Sequence, residues 1–506
     1  MLQIKINSRL FCLLALLSST LFLVSCQSDD DSDSSQTSSS SSLDSQLHAL
    51  IKEHELTGDP SHGRQIPSID SPLAQLGKTL FFSQSLSGDN DTACVSCHHP
   101  ALGGGDALPL SIGVGAVLPK QLGPGRTHSS VAVDFDGGPT VPRNAPTTFN
   151  CALWDQVMFH DGRIESLGKT PKANGNDGLG IRTPDSSLGI ADPLAGADLV
   201  ATQSRFPVTS PQEMRGFTFE ADKNNEPVRN GLARRLVDQT IPNTWLPEFQ
   251  QAFESYEEAS TLVTFANIAK AISAYERSQV FVNTPWKEYL EGDETALSEA
   301  AKKGALLFFK PIEQGGANCV DCHKGDFFTD EQFYVLAIPQ IGRGEGDGET
   351  GDNDFGRFRE TQNPQDQYAF RTPSLLNVEV TGPYGHSGAY LSLEAVIRHN
   401  LNPEEAINHY DFTLNQLDSS IQHEHAEENT RSALVQLETN RANGIKSIQN
   451  VNLSDEEISD LLEFLLALTD PCVKERACLA PWIADNDDVG PDFLQLNAVD
   501  KNDNPL

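Results

Sequence analysis

Methionine is nearly missing: Met1, Met158 and Met214 are the only three in 506 residues. No thioether is therefore available as a ligand anywhere after residue 214. Positive charge is also short, with 36 Lys and Arg against 71 Asp and Glu and a net charge of −35. A surface of that sign repels phosphate backbones and excludes nucleic acid as a partner. It can steer a basic protein partner. Long apolar runs are absent except Leu10 to Val24, which is too short to favour a membrane span. With Lys5 and Arg9 ahead of it, that run reads as an export signal. Strand signals are sparse, which leaves a mainly α chain with long loops.

What is present is a short motif in two copies: Cys94-Val95-Ser96-Cys97-His98 and Cys319-Val320-Asp321-Cys322-His323. C-x-x-C-H is the attachment pattern of a c-type haem, in which two thiols take the vinyl groups and the histidine binds iron. Four cysteines could instead bind zinc, but zinc needs no histidine after each pair. A dithiol redox pair would occur once, in a cytosolic setting. The reading is two covalent haem c groups, on Cys94, Cys97 and His98 and on Cys319, Cys322 and His323.

The export signal, residues 1–26, closes with Leu23-Val24-Ser25-Cys26, a lipobox-like end that makes Cys26 a lipid acceptor. Residues 27–43 are rich in Ser and Asp and read as a flexible tether to a membrane face. Gln27 favours the outer membrane in a Gram-negative cell. Export also suits Cys472 and Cys478, which can pair in an oxidising compartment, leaving Cys151 unpaired and buried.

The surroundings of the two haem motifs are alike. Leu73 to Phe82 precedes the first and Ala300 to Phe309 the second. Both read as amphipathic helices ending in a Phe-Phe pair, a weak internal repeat expected of two cytochrome c-like units. Ala266 to Glu276 is a further amphipathic helix. Another starts at Ser454, where Glu457 completes a capping box ahead of the Ile458, Leu461, Leu462, Leu465 stripe. The expected domains are 44–285 around the first haem and 286–483 around the second, followed by a loose acidic tail over 484–506. Long loops fall at 100–150, 168–200 and 339–366.

Four further segments carry a resemblance: Phe159-His160-Asp161-Gly162-Arg163, Pro207 through Glu213-Met214, Phe370 through Val378, and Thr381-Gly382-Pro383-Tyr384-Gly385-His386-Ser387-Gly388. Over residues 70 to 470 the chain resembles the bacterial di-haem cytochrome c peroxidases and their MauG-like relatives. The resemblance implies that the peroxide-reacting haem is the one at His98, with Gln203 and Glu213 lining its distal pocket and Pro207 walling it. Glu213 would move the peroxide proton. It also implies a calcium ion between the haems, held by the Asn144 side chain and the carbonyls of Thr381 and Pro383.

The chain departs from that pattern in three places. The peroxidases ligate the C-terminal haem through a methionine and MauG through a tyrosine; this chain has Asn400 there, with His399 beside it. A bis-histidine haem of His323 and His399 is therefore expected. The family tryptophan between the haems is His160 here, with Trp154 close by as a substitute. His128, in the loop after the first haem, is a candidate for a removable distal ligand. The implied activity is oxidation by hydrogen peroxide, with electrons from a small cytochrome or cupredoxin, or from a protein substrate as in MauG. The alternative is a non-catalytic, membrane-tethered electron-transfer cytochrome, which would need no Gln203 and Glu213.

Overall fold

The computed structural model describes residues 34–238, 243–417, 420–445 and 448–506, with side chains described from residue 43 onward. The expected signal, Cys26 and residues 27–33 of the expected tether lie outside the described residues. The chain divides into residues 1–42 and a body spanning 43–506. No helix among the described residues is long and apolar enough to cross a membrane.

The body is mainly helical. Its helices, in order, are α1 (Ser34–Glu53, which begins before the body), α2 (Pro72–Phe82), α3 (Leu199–Gln203), α4 (Asn225–Val237), α5 (Trp245–Ala252), α6 (Ala259–Leu262), α7 (Phe265–Arg277) and α8 (Pro285–Leu290). Then come α9 (Glu299–Phe309), α10 (Phe358–Thr361), α11 (Leu393–Leu401), α12 (Pro403–His409), α13 (Ala426–Ala442), α14 (Asp455–Leu466) and α15 (Arg476–Leu479). Five short strands complete it. β1 (Val157–Met158), β2 (Ile164–Ser166) and β3 (Ile181–Arg182) form one antiparallel sheet. β4 (Phe333–Val335) pairs antiparallel with β5 (Ala369–Arg371), Phe333 opposite Arg371.

The repeat seen in the sequence is a repeat in space. α2 crosses α7 and α9 crosses α14. Each crossing passes over a glycine at the same place in its helix. A Cβ on Gly77 would run into the Ala271 carbonyl, and one on Gly304 into the Asp460 carbonyl. Backbones that approach this closely leave no room for a side chain, so glycine is kept mid-helix despite its cost of about 1 kcal/mol. Ser71 caps α2 and Ser298 caps α9; Ser454 and Glu457 form the expected capping box on α14. Two cores result. One gathers Leu80, Phe81, Phe82, Ile268, Ile272 and Tyr275; the other Phe308, Phe309, Phe328, Leu461, Phe464 and Trp286.

The ends of the body cross over, which corrects the expected domain boundaries. Residues 44–56, assigned to the first domain, pack in the second core through Leu47, Leu50 and Leu56. Asp44 there pairs with Lys302 at 2.6 Å and accepts from the Tyr289 hydroxyl at 2.8 Å. Conversely Val473, Leu479 and Ile483 pack in the first core, next to the Cys472–Cys478 disulfide. The segment 484–506 is not a loose tail. Leu496 and Ala498 are buried in that same core, and Asp492 accepts from Trp245 Nε1 at 2.6 Å and from the Ser85 hydroxyl.

Candidate functional site

Each C-x-x-C-H opens as one 3₁₀ turn, Cys94–Ser96 and Cys319–Asp321, directly after the α2 or α9 unit. The turn brings the histidine amide back to the first cysteine carbonyl: His98 N to Cys94 O at 3.1 Å and His323 N to Cys319 O at 3.0 Å. His98 Nδ1 donates to Gly104 O at 3.3 Å, and His323 Nδ1 to Phe328 O at 2.9 Å. Fixing Nδ1–H in this way leaves Nε2 as the metal-binding atom. Burial pushes both imidazoles below their ordinary value. It pushes the Cys97 and Cys319 thiols up to about 12. All four thiols are unpaired. Among the described residues no group of three or more His, Cys, Asp or Glu converges as a zinc site would require. Half-buried neutral thiols beside a histidine whose Nδ1 is held by a backbone carbonyl fit covalent haem.

One cavity of about 820 Å³ is lined by His98 and by Cys319, Cys322 and His323. Its walls repeat as its turns do. Pro146-Thr147-Thr148-Phe149-Asn150 serves one haem position and Pro373-Ser374-Leu375-Leu376-Asn377 the other. Asn150 and Asn377 both adopt the left-handed conformation, and both donate from Nδ2 to the same Phe281 carbonyl, at 3.2 and 2.9 Å. This P-x-x-x-N pair is readable in the sequence, as two matching segments placed after the two haem motifs.

The Phe159-to-Arg163 motif forms the turn between β1 and β2. Asp161 accepts from Arg143 at 2.6 Å, and the Arg143 and Arg163 guanidiniums hold its carboxyl far below the usual range. Arg143 also grips Asp354 at 2.7 and 2.8 Å, anchoring the 339–366 loop beside the cavity. Gln203 ends α3 and lines the cavity with His98. Pro207 opens the next turn, and Ser210 caps the turn Pro211–Arg215 that carries Glu213. Glu213 is half-buried and is not part of the cavity wall. Burial raises its carboxyl, Arg163 and Arg143 oppose that, and its own charge acts on Cys97. Among the described residues its carboxylate makes no hydrogen bond.

Asn144, Thr381 and Pro383 all line the cavity. Asn144 Nδ2 is spent on the carbonyls of Leu108 at 2.8 Å and Pro109 at 3.2 Å, so Oδ1 remains as its ligand atom. An oxygen set without thiols or imidazoles is the chemistry a hard cation takes. His160 is neighbour to it: Nε2 donates to the Asn144 carbonyl at 3.0 Å, and burial together with Arg143 lowers its pKa to about 4. Trp154 is buried in the cavity wall with the Arg371 guanidinium 3.5 Å above its ring and Phe327 against its edge.

His399 is not where the sequence placed it. Nε2 donates to the Leu336 carbonyl at 2.8 Å and Nδ1 accepts from the Tyr390 hydroxyl at 2.7 Å, with the ring fully buried. Both ring nitrogens are committed and the residue does not line the cavity, whereas Asn400 does. The expected His323–His399 ligation is corrected on that ground. His128 directs Nδ1 to the Ser129 carbonyl and stacks on Phe135. Glu276, near the end of α7, lines the cavity and was read from the sequence only as part of a helix. A lone Glu in an amphipathic pattern gives no sign that it is turned inward.

Two haem turns facing one cavity define a c-type di-haem protein. A family model described as Di-haem cytochrome c peroxidase matches residues 71–295. Cytochrome-c peroxidase IdrP1 of Denitromonas iodatirespirans is 30% identical over 356 residues, 65% of this chain and 73% of that protein. Cytochrome c551 peroxidase of Pseudomonas aeruginosa is 28% identical, covering 70% of this chain and 78% of its own. Methylamine utilization protein MauG of Methylophilus methylotrophus is 27% identical, covering 82% and 90%. The fold is similar to that of a MauG-like protein associated with microbial copper homeostasis, at 23% identity and a TM-score of 0.51, covering 82% of this chain and 95% of that one. It is also similar to a variant of the diheme peroxidase BthA from Burkholderia thailandensis, at 19% identity and a TM-score of 0.52, covering 82% and 90%. The chain belongs to the di-haem cytochrome c peroxidase and MauG-like family and is a di-haem oxidoreductase.

Proposed function

We propose that this is an exported enzyme that reacts hydrogen peroxide at the His98 haem and draws its electrons through the His323 haem. The observation that carries this reading is one cavity lined by both histidines and by Gln203, with Glu213 close enough to the first haem turn to act on Cys97. Cys94, Cys97 and His98 would hold a haem whose iron would supply the electrons that peroxide reduction needs. Glu213 takes the proton from the near oxygen of peroxide and returns it to the leaving oxygen. Its raised affinity for protons suits a group that must both accept and release one. The Gln203 amide orients the peroxide, and Pro207 limits access. Arg163 and Arg143 set the field in which Glu213 works.

Calcium at Asn144, Thr381 and Pro383 would fix the wall common to both haems. Cys26 would carry the lipid that holds the body at a membrane face. The electron source is a small cytochrome or cupredoxin, or oxidisable residues of a protein substrate. The acidic surface favours a donor of basic charge. The test is peroxide-dependent oxidation of a reduced, basic small c-type cytochrome by the purified protein. Turnover that falls with rising salt supports the reading. No oxidation of any small redox protein, with reduced haems that still respond to peroxide, would favour a protein substrate.

A further inference from the structure

Glu276 is the one buried carboxylate among those lining the cavity, and the proposed reaction does not use it. Only 5% of its surface is exposed, and its Oε2 has no hydrogen-bond partner among the described residues. It projects from α7, the helix that crosses α2 over Gly77 immediately before the Cys94 turn. An orphaned buried carboxyl is destabilising, and more so when ionised. A chain that keeps one in the wall of a cofactor cavity has placed a proton-holding group there.

The surroundings define its charge. Asp198, Cys94 and Cys151 face it, and none offers it a cation. Arg277, its neighbour, is turned to Asp198 at 2.9 Å. Tyr275, on the other side, donates to the Trp482 carbonyl at 2.7 Å. The charged residues of the helices packed on α7 are also turned elsewhere. Lys78 of α2 donates to the Pro481 carbonyl, and Arg229 of α4 to Asp185. Burial, reinforced by Asp198, raises the Glu276 carboxyl to about 8.

Resting on the two-haem reading, we propose that Glu276 is the proton partner of electron transfer at the Cys94–Cys97–His98 haem, binding one proton from solvent at Oε2 when that haem gains one electron. The electron comes from the protein donor in turnover, or from dithionite in the test. On reoxidation the same proton leaves. The cause is electrostatic: a ferric haem core carries one positive charge more than a ferrous one, so it favours the carboxylate. The reduced form then holds its proton to higher pH than the oxidised form. Between those two values the midpoint potential falls as pH rises, by about 59 mV for each tenfold drop in proton concentration.

The test is a mediated potentiometric titration of the purified di-haem protein between about pH 5 and pH 9. The wild type and Glu213→Gln should both show the sloping potential at the His98 haem. Glu276→Gln should flatten it while the His323 haem is unchanged. A slope that survives in Glu276→Gln assigns the proton to another group and overturns the proposal, as does a flat wild type. Should Glu276→Gln fail to load haem, reduced-minus-oxidised infrared spectra of wild-type protein labelled with ¹³C-glutamate decide it. A protonated-carboxyl band that appears on reduction and shifts with the label is expected, in Glu213→Gln as well. Its absence overturns the proposal. Protein without two titrating haems would instead refute the underlying reading.

Discussion

At the scale of single residues, the chemistry-bearing histidines divide by what holds their nitrogens. His98 and His323 each direct Nδ1 to a backbone carbonyl, of Gly104 and Phe328. His399 commits both nitrogens, and burial lowers its pKa to about 4. His399→Gly should therefore leave the electron paramagnetic resonance of the oxidised His323 haem as it is in the wild type. The same change should cost about 2–4 kcal/mol, because it strands the Leu336 carbonyl and the Tyr390 hydroxyl. A changed haem spin state in that variant would restore His399 as a ligand. His160 shares the depressed value of about 4. A histidine kept neutral by the fold binds fewer protons folded than unfolded, so its contribution is intact above the unfolded pKa of 6.5. Thermal stability should fall as pH drops from 6.5 towards 4, and less so in His399→Gln. The haem histidines were legible because the motif fixes them by covalent chemistry. The phase of α11 was not, since adjacent helix positions differ by about 100° and the sequence alone does not say which one faces the cofactor.

At the scale of elements, α2 and α9 were legible as a repeat, and so were α7 and α14 as amphipathic helices. Their pairing was not, because a glycine in a helix has no side chain to announce a crossing. Gly77→Ala and Gly304→Ala should each destabilise their own unit, by about 1–3 kcal/mol or more, since the added methyl meets a backbone carbonyl that cannot rotate away. Thermal melts followed at the haem absorption would show it. Melting unchanged in both variants would mean that the helices separate at no cost.

At the scale of the whole molecule, the two units are interlocked by their ends. That was hidden in the sequence, where 44–56 reads as the start of the first haem domain and 484–506 as a loose tail. Segment 484–506 is acidic, yet Leu496 and Ala498 within it are buried, while Val489 and Phe493 stay exposed. Removing residues 484–506 should expose the first core and uncouple Asp492 from Trp245. We expect loss of the His98 haem or early proteolysis of its unit, with the second unit surviving. Truncated protein with unchanged melting and protease resistance would refute the interlock. The proposed lipid on Cys26 makes a separate prediction: Cys26→Ser with a working signal should move the protein from the membrane to the soluble envelope fraction. Wild-type protein already soluble there would end that reading.

The central claim, that Glu213 moves the proton when peroxide reacts at the His98 haem, is tested most directly by stopped-flow absorption of the di-haem protein mixed with hydrogen peroxide. Wild type and Glu213→Gln should be compared after each is shown to carry two haems. The account predicts a rate lower by roughly 10²–10⁴-fold in the variant. Equal rates would contradict it.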